Sequence, residues 1–171
     1  MFYPDRREKS AYTIDYADLY RKGYRGVIFD IDNTLVPHGA PATKEAAAFF
    51  ASLRETGFST CLLSNNQKPR VAPFADAVGS IYIENAHKPS VKNYQEACRR
   101  MGIKEEQAVF VGDQLFTDVY GAKRTGLYNI LTEPINPKEE IQIVLKRYLE
   151  HIVLFFYERD LARGRITKKN S

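Results

Sequence analysis

Short apolar runs alternate with longer amphipathic stretches along the chain. "GVIFDI" (26–31), "FSTCLLS" (58–64), "SIYIE" (80–84), "QAVFVG" (107–112) and "LYNILT" (127–132) are rich in β-branched and aromatic residues and bounded by turn formers, which predicts strands. The stretches between them carry helical spacing. "TKEAAAFFASLRET" (43–56) puts Phe49, Phe50 and Leu53 on one face and stops at Gly57. "SVKNYQEACRRM" (90–101) is capped by Ser90 and closed by Gly102, and "TDVYGAKRT" (117–125) precedes Gly126. "PRVAPFADAV" (69–78) is a weaker helix because Pro73 lacks an amide donor. A short helix is expected at 16–22, capped by Asp15, ended by Gly23 and stapled by Ile14 and Leu19. Residues 1–12 read as irregular, and no internal repeat or low-complexity tract is present.

Strands alternating with helices predict an α/β fold. It is a doubly wound, Rossmann-like parallel sheet of about five strands with helices on both faces. The strands are continuously apolar, as both covered faces require. This domain with its helical lead-in is expected over 1–135, and residues 136–171 form a C-terminal amphipathic helix and basic tail. Asn136, Pro137 and Glu139 make a helix start. Ile141, Val144, Leu145, Tyr148 and Ile152 then share a face, and the apolar surface widens at 152–157. Packing on the sheet or a homodimer interface is one reading of this segment. A helix resting peripherally on an anionic membrane is the other. Tyr12, Tyr16, Tyr20 and Tyr24 recur every four residues, which reads as packing against the domain.

Composition narrows the class. The 171 residues suit one domain, and 44% hydrophobic with 27% charged residues is an ordinary globular balance. The N-terminus lacks a signal-peptide core and no apolar run approaches a membrane span, so a cytoplasmic protein is expected, with the inner face of the membrane as the alternative. Cys61 and Cys98 lie in apolar or helical segments outside any CxxC pair and read as reduced core thiols. Net charge is +4 with five Lys/Arg against two Asp/Glu in residues 158–171, so much of the excess is a tail. No nucleic-acid partner is expected.

In parallel sheets, functional groups gather beyond the carboxyl ends of the strands. After the first predicted strand come Asp30, Asp32, Asn33 and Thr34, and after the second Ser64, Asn65 and Asn66. "HKPS" with Lys88 follows the third, and "GDQLFTD" with Asp113 and Asp118 follows the fourth. Carboxylates without a matching Cys/His set suit a hard cation, Mg²⁺. The hydroxyl, amides and lysine suit phosphate oxygens. Together they make a phosphoryl-transfer site, with Asp30 as nucleophile and Asp32 as general acid and base. Gln114 is a candidate for substrate contact. His38 and His87 lie near the rim as loop histidines, and His151 is structural.

"DIDNT", "SNN", "HKPS" and "GDQLFTD", in this order, resemble the four motifs of the haloacid dehalogenase-like (HAD) superfamily phosphatases, most closely subfamily IIIA, the YqeG family, related to phosphatidylglycerophosphate phosphatases. The resemblance covers residues 12–135. It implies Asp30 as nucleophile and metal ligand, Asp32 as acid/base and metal ligand through its carbonyl, and Asp113 as direct metal ligand. It implies phosphate contacts from Ser64, Asn65 and Lys88, and supporting roles for Thr34 and Asp118. The segments between these motifs are filled by predicted helices and strands, leaving no room for the cap domain the family often inserts. An open site suits a bulky phosphorylated substrate, such as a phospholipid head group. Two alternatives stay open: a receiver-like signalling domain phosphorylated on aspartate, and a catalytically idle relative that binds lipid, nucleic acid or protein. A receiver has no use for an acid at Asp32.

Overall fold

Each predicted apolar run becomes a strand of one sheet in the computed structural model, which describes residues 2–136 and 141–164, the latter without side-chain detail before 149. The strands are β1 (Arg6–Glu8), β2 (Gly26–Phe29), β3 (Ser59–Leu63), β4 (Ile81–Ile83), β5 (Ala108–Gly112) and β6 (Tyr128–Thr132). All pair parallel, in the order β1-β6-β5-β2-β3-β4. The helices are α1 (Tyr16–Arg21), α2 (Lys44–Thr56), α3 (Lys68–Val78), α4 (Val91–Met101), α5 (Tyr120–Thr125) and α6 (Ile141–Ala162).

Alternation along the central strands sorts the two cores. Val27 and Phe29 of β2, with Leu62, Val109 and Val111, face α1, α2 and α3 through Leu19, Phe50, Leu53, Val71 and Phe74. Ile28, Cys61, Leu63 and Phe110 face α4 and α5 through Tyr94, Ala97, Cys98 and Ala122. Burying each such side chain contributes about 1.5–3 kcal/mol. Both cysteines are free and buried in this second core. The tyrosine series packs as expected: Tyr12 and Tyr16 meet Phe49, Tyr20 meets Phe58, and Tyr24 stacks on Tyr128.

The local signals act as the sequence suggests at several ends. The Asp15 carboxylate accepts the Asp18 amide, and Thr43 Oγ1 accepts the Ala46 amide, whereas Ser90 stands at the start of α4 with no side-chain capping bond. Gly57, Gly79, Gly102 and Gly126 end α2, α3, α4 and α5 in left-handed turns. Pro73 lies inside α3 without ending it, although it can donate no bond to Pro69 O.

Two expectations need correction. The sheet has six strands rather than about five. The sixth is Arg6–Glu8, in a segment expected to be irregular, which pairs with β6 in the register Arg6↔Ile130 to Glu8↔Thr132. Arg-Arg-Glu carries no apolar signal; the open edge of β6 recruits it, and a polar clip fixes it. The Asp5 amide donates to Asn129 Oδ1 (3.1 Å), and the Asn129 side-chain amide returns a bond to Asp5 Oδ2 (2.5 Å). The helix expected at 117–125 begins earlier, with a wide π-helical turn over Leu115–Val119 that runs into α5. The expected helix start at Pro137 and Glu139 lies outside the described residues.

Beyond that start, α6 packs on the sheet flank, where Val153 and Leu154 meet Leu115, Val119 and Leu131. Between β2 and β3 the chain forms α2, and between β3 and β4 it forms α3, with no inserted domain in either interval.

Candidate active site

The switch in strand order falls between β2 and β5: the chain leaves β2 toward β3 and β4, then returns to build β5 on the other side. The crevice past the carboxyl ends of β2 and β5 is where such a sheet binds ligands. The register pairs Phe29 with Val111, and the Asp30 amide donates to Val111 O (3.0 Å). Asp30 and Asp113 therefore leave adjacent strands side by side.

Asp30, Asp32, Thr34, Ser64, Lys88, Asp113 and Asp118 are all buried. Lys88 Nζ donates to Asp30 Oδ1 and Asp118 Oδ1, both at 2.7 Å. Asp118 Oδ2 accepts the Gln114 amide (3.0 Å), so both its oxygens are engaged. A Cβ on Gly112 would meet Asp118 Oδ2 at 2.5 Å, so only glycine leaves room for that carboxylate. The π-helical turn that carries Asp118 is tied down by the Tyr94 hydroxyl, which donates to Thr117 O (2.8 Å). Thr34 Oγ1 donates to Asp113 Oδ1 (3.3 Å), linking the loops after β2 and β5.

The second loop holds the third. Asn65 Oδ1 accepts the Lys88 amide (2.7 Å), so the Asn65 side chain fixes the lysine's backbone. Ser64 Oγ accepts the Asn66 amide (3.1 Å), which leaves its hydroxyl hydrogen to donate. A small cavity of about 90 Å³ is lined by Asp30, Asp32, Ser64, Asn65, Lys88 and Gln114 among others. His38 also lines it from an exposed position, whereas His87 and His151 do not.

Asp32 is held differently from Asp30. Its Oδ1 accepts the Gly39 amide (2.8 Å) and Arg70 Nη2 (2.8 Å), and its Oδ2 accepts Asn66 Nδ2 (2.7 Å). Neither Arg70 nor Gly39 stands out in the sequence motifs. One signal was available for Arg70: it is a cation in the first turn of a helix, where the dipole disfavours positive charge, and α3 has no acid there to pair with it.

The charge balance is uneven. Burial pushes the Asp30 carboxyl up to about 6, opposed by Lys88 and reinforced by Asp118 and Asp32. Burial alone would pull the Lys88 ammonium down, but Asp118 and Asp30 outweigh it and hold it above its ordinary value. Ligand oxygens of Asp30, Asp113 and Asp118 lie within 4.8 Å of one another. Three buried carboxylates with one ammonium among them fit a hard divalent cation, which would supply the missing positive charge.

A family model for haloacid dehalogenase-like hydrolases matches residues 39–126. The chain is 35% identical over 159 residues to the probable phosphatase YqeG of Bacillus subtilis (strain 168), covering 92% of each protein. It is 29% identical over 161 residues to phosphatidylglycerophosphate phosphatase 1, chloroplastic/mitochondrial, of Arabidopsis thaliana, covering 88% of this chain and 46% of that protein. In fold it is similar to an uncharacterized protein from Corynebacterium glutamicum ATCC 13032 Kitasato, with a TM-score of 0.53 and 20% identity over 75% of this chain and 94% of that one. The receiver-like alternative falls with these matches, and the chain belongs to the haloacid dehalogenase-like hydrolase family.

Proposed function

We propose that this phosphatase of the haloacid dehalogenase-like family hydrolyses a phosphomonoester in two displacements through Asp30. The observation that supports this most is the placement of the Asp30 carboxylate at the switch point, with Lys88 on one oxygen and two further carboxylates within reach. Lys88 holds Oδ1, so Oδ2 attacks phosphorus. The P–O bond to the alcohol breaks as the phosphoryl group moves to Asp30, and the departing oxygen takes a proton held at Asp32. Water then attacks the aspartyl phosphate, Asp32 takes its proton, and inorganic phosphate leaves with Asp30 restored. Ser64 and the Asn65 backbone hold phosphoryl oxygens. Lys88 offsets their charge, and Asp118 keeps Lys88 aimed. Mg²⁺ would be held by Asp30, Asp113 and the Asp32 carbonyl, and it would neutralise the transferring group. Thr34 and Asp118 support that set.

The substrate we infer is phosphatidylglycerophosphate or a similar exposed phosphate ester. The activity for which the Arabidopsis relative is named supports it, and so does a site without an inserted cap. Peripheral contact with a membrane would follow. Leu149, Ile152, Phe155 and Phe156 form an exposed apolar row on α6, ahead of the basic tail. No helix of the described residues is long and apolar enough to cross a membrane.

Phosphate release should be measured with Mg²⁺ on soluble esters and on phosphatidylglycerophosphate in micelles. Release that requires the metal, and falls by more than about 10³-fold in Asp30→Asn, is expected. Undiminished turnover in that variant would defeat the mechanism. Loss of vesicle binding on removing residues 158–171 is expected for the membrane contact, and binding indifferent to that truncation speaks against it.

A further inference from the structure

We propose that Arg70 is a specificity residue: it binds a second anionic group on the alcohol portion of the substrate, and it holds Asp32 only until that group arrives. The inference rests on the reading of Asp32 as the group that faces the leaving oxygen.

The pairing of Arg70 with Asp32 is incomplete in a way that favours exchange. Arginine binds carboxylates and phosphates best through two parallel N–H bonds. Here only Nη2 reaches Asp32, at 2.8 Å, and Nε is buried with no hydrogen-bond partner. An anion offering two oxygens would use the fork that Asp32 does not, once the side chain turns Nε outward. Asp32 would not be abandoned by the exchange, since Gly39 N and Asn66 Nδ2 remain on its two oxygens.

Position supports the same reading. Lys88, the cation inside the site, is already shared between Asp30 and Asp118. Arg70 stands one hydrogen bond from the cavity wall, its side chain 21% exposed, with its guanidinium 5.5 Å from the Phe74 ring centroid. The cavity of about 90 Å³ is well below the ~300–1,000 Å³ of a pocket that engulfs a small ligand. It takes the phosphoryl group and leaves the alcohol outside, past Asp32. An anionic group there lies beside the Asp32 wall to which Arg70 is bonded. A phosphodiester or a carboxylate, each with two oxygens, fits the fork.

The test compares kcat and KM of wild type, Arg70→Ala and Arg70→Lys on three esters with Mg²⁺. Glycerol 3-phosphate has an uncharged alcohol, 3-phosphoglycerate adds a carboxylate, and glycerophosphoglycerol phosphate adds a phosphodiester. Wild type should favour one or both charged alcohols over glycerol 3-phosphate by about 10-fold or more in kcat/KM, a preference that shrinks with added salt. Arg70→Ala should bring that ratio to about one, chiefly through KM, and Arg70→Lys should keep part of it. An equal loss on all three esters would make Arg70 a prop for Asp32 and overturn the proposal, as would a wild type without preference. If Arg70→Ala fails to fold, the Arg70→Lys ratio and the salt dependence in wild type decide. A wild type that releases no phosphate from any ester contradicts the phosphatase mechanism itself, and the inference goes with it.

Discussion

Asp30 couples the site to pH through its surroundings. Its carboxyl is buried beside like charges and raised to about 6 from an ordinary 3.8. A carboxyl whose folded value is raised contributes stability that is complete below its unfolded value and lost as pH rises through the folded one. The metal-free protein should therefore lose Tm relative to Asp30→Asn as pH rises from about 4 through 6 to 7. Mg²⁺ should restore it at pH 7 by binding the ionised cluster. Thermal melts of the two proteins across that range, with and without the ion, check this. A difference that stays flat with pH would mean that Asp30 is not the buried, repelled carboxylate described here. Lys88 shows the complementary effect: its ammonium is stabilised by the same acids that repel one another. Removing one partner of such a buried pair costs about 3–5 kcal/mol.

The elements that aim these side chains were unequally legible in the sequence. β2, β3 and β5 are continuous apolar runs, and the acids and hydroxyl that end them could be read as one rim because parallel strands put their carboxyl ends together. β1 was not legible, because Arg6–Glu8 has no pattern of its own and exists through the edge of β6 and the Asp5–Asn129 clip. The π-helical turn at Leu115–Val119 was also hidden, since its width is set by tertiary ties and not by spacing. One of those ties comes from α6. The Glu150 carboxylate is buried and accepts the Leu115 amide at 3.0 Å and the Phe116 amide at 3.4 Å. Glu150→Ala should leave both amides unsatisfied and cost about 1–3 kcal/mol in a denaturant melt. Because the turn carries Asp118, it should also lower activity. Unchanged stability would show that α6 is not anchored through this contact.

The described residues form one sheet with the acidic cluster at the switch point, and α6 lies against the flank next to it. A groove of about 780 Å³ between β6, β1 and α6 is lined by Thr132, Glu150 and Leu154, and also by Asp113 from the buried acidic cluster. Arg7 of β1 and Glu158 of α6 form an ion pair across that groove. The exposed apolar row of α6 thus sits on an element bonded to the turn that carries Asp118. An arrangement of this kind suits an enzyme whose phosphorylated substrate is presented from outside. The family relationship gives the class of reaction, and the named residues give the route proposed for it.

The most direct measurement of that route is mass spectrometry of the protein quenched in acid during turnover with Mg²⁺ and a phosphomonoester. The account predicts a phosphoryl adduct on the peptide that carries Asp30, lost on further incubation and absent from Asp30→Asn. An adduct on another residue, or phosphate release by Asp30→Asn at the wild-type rate, would contradict it.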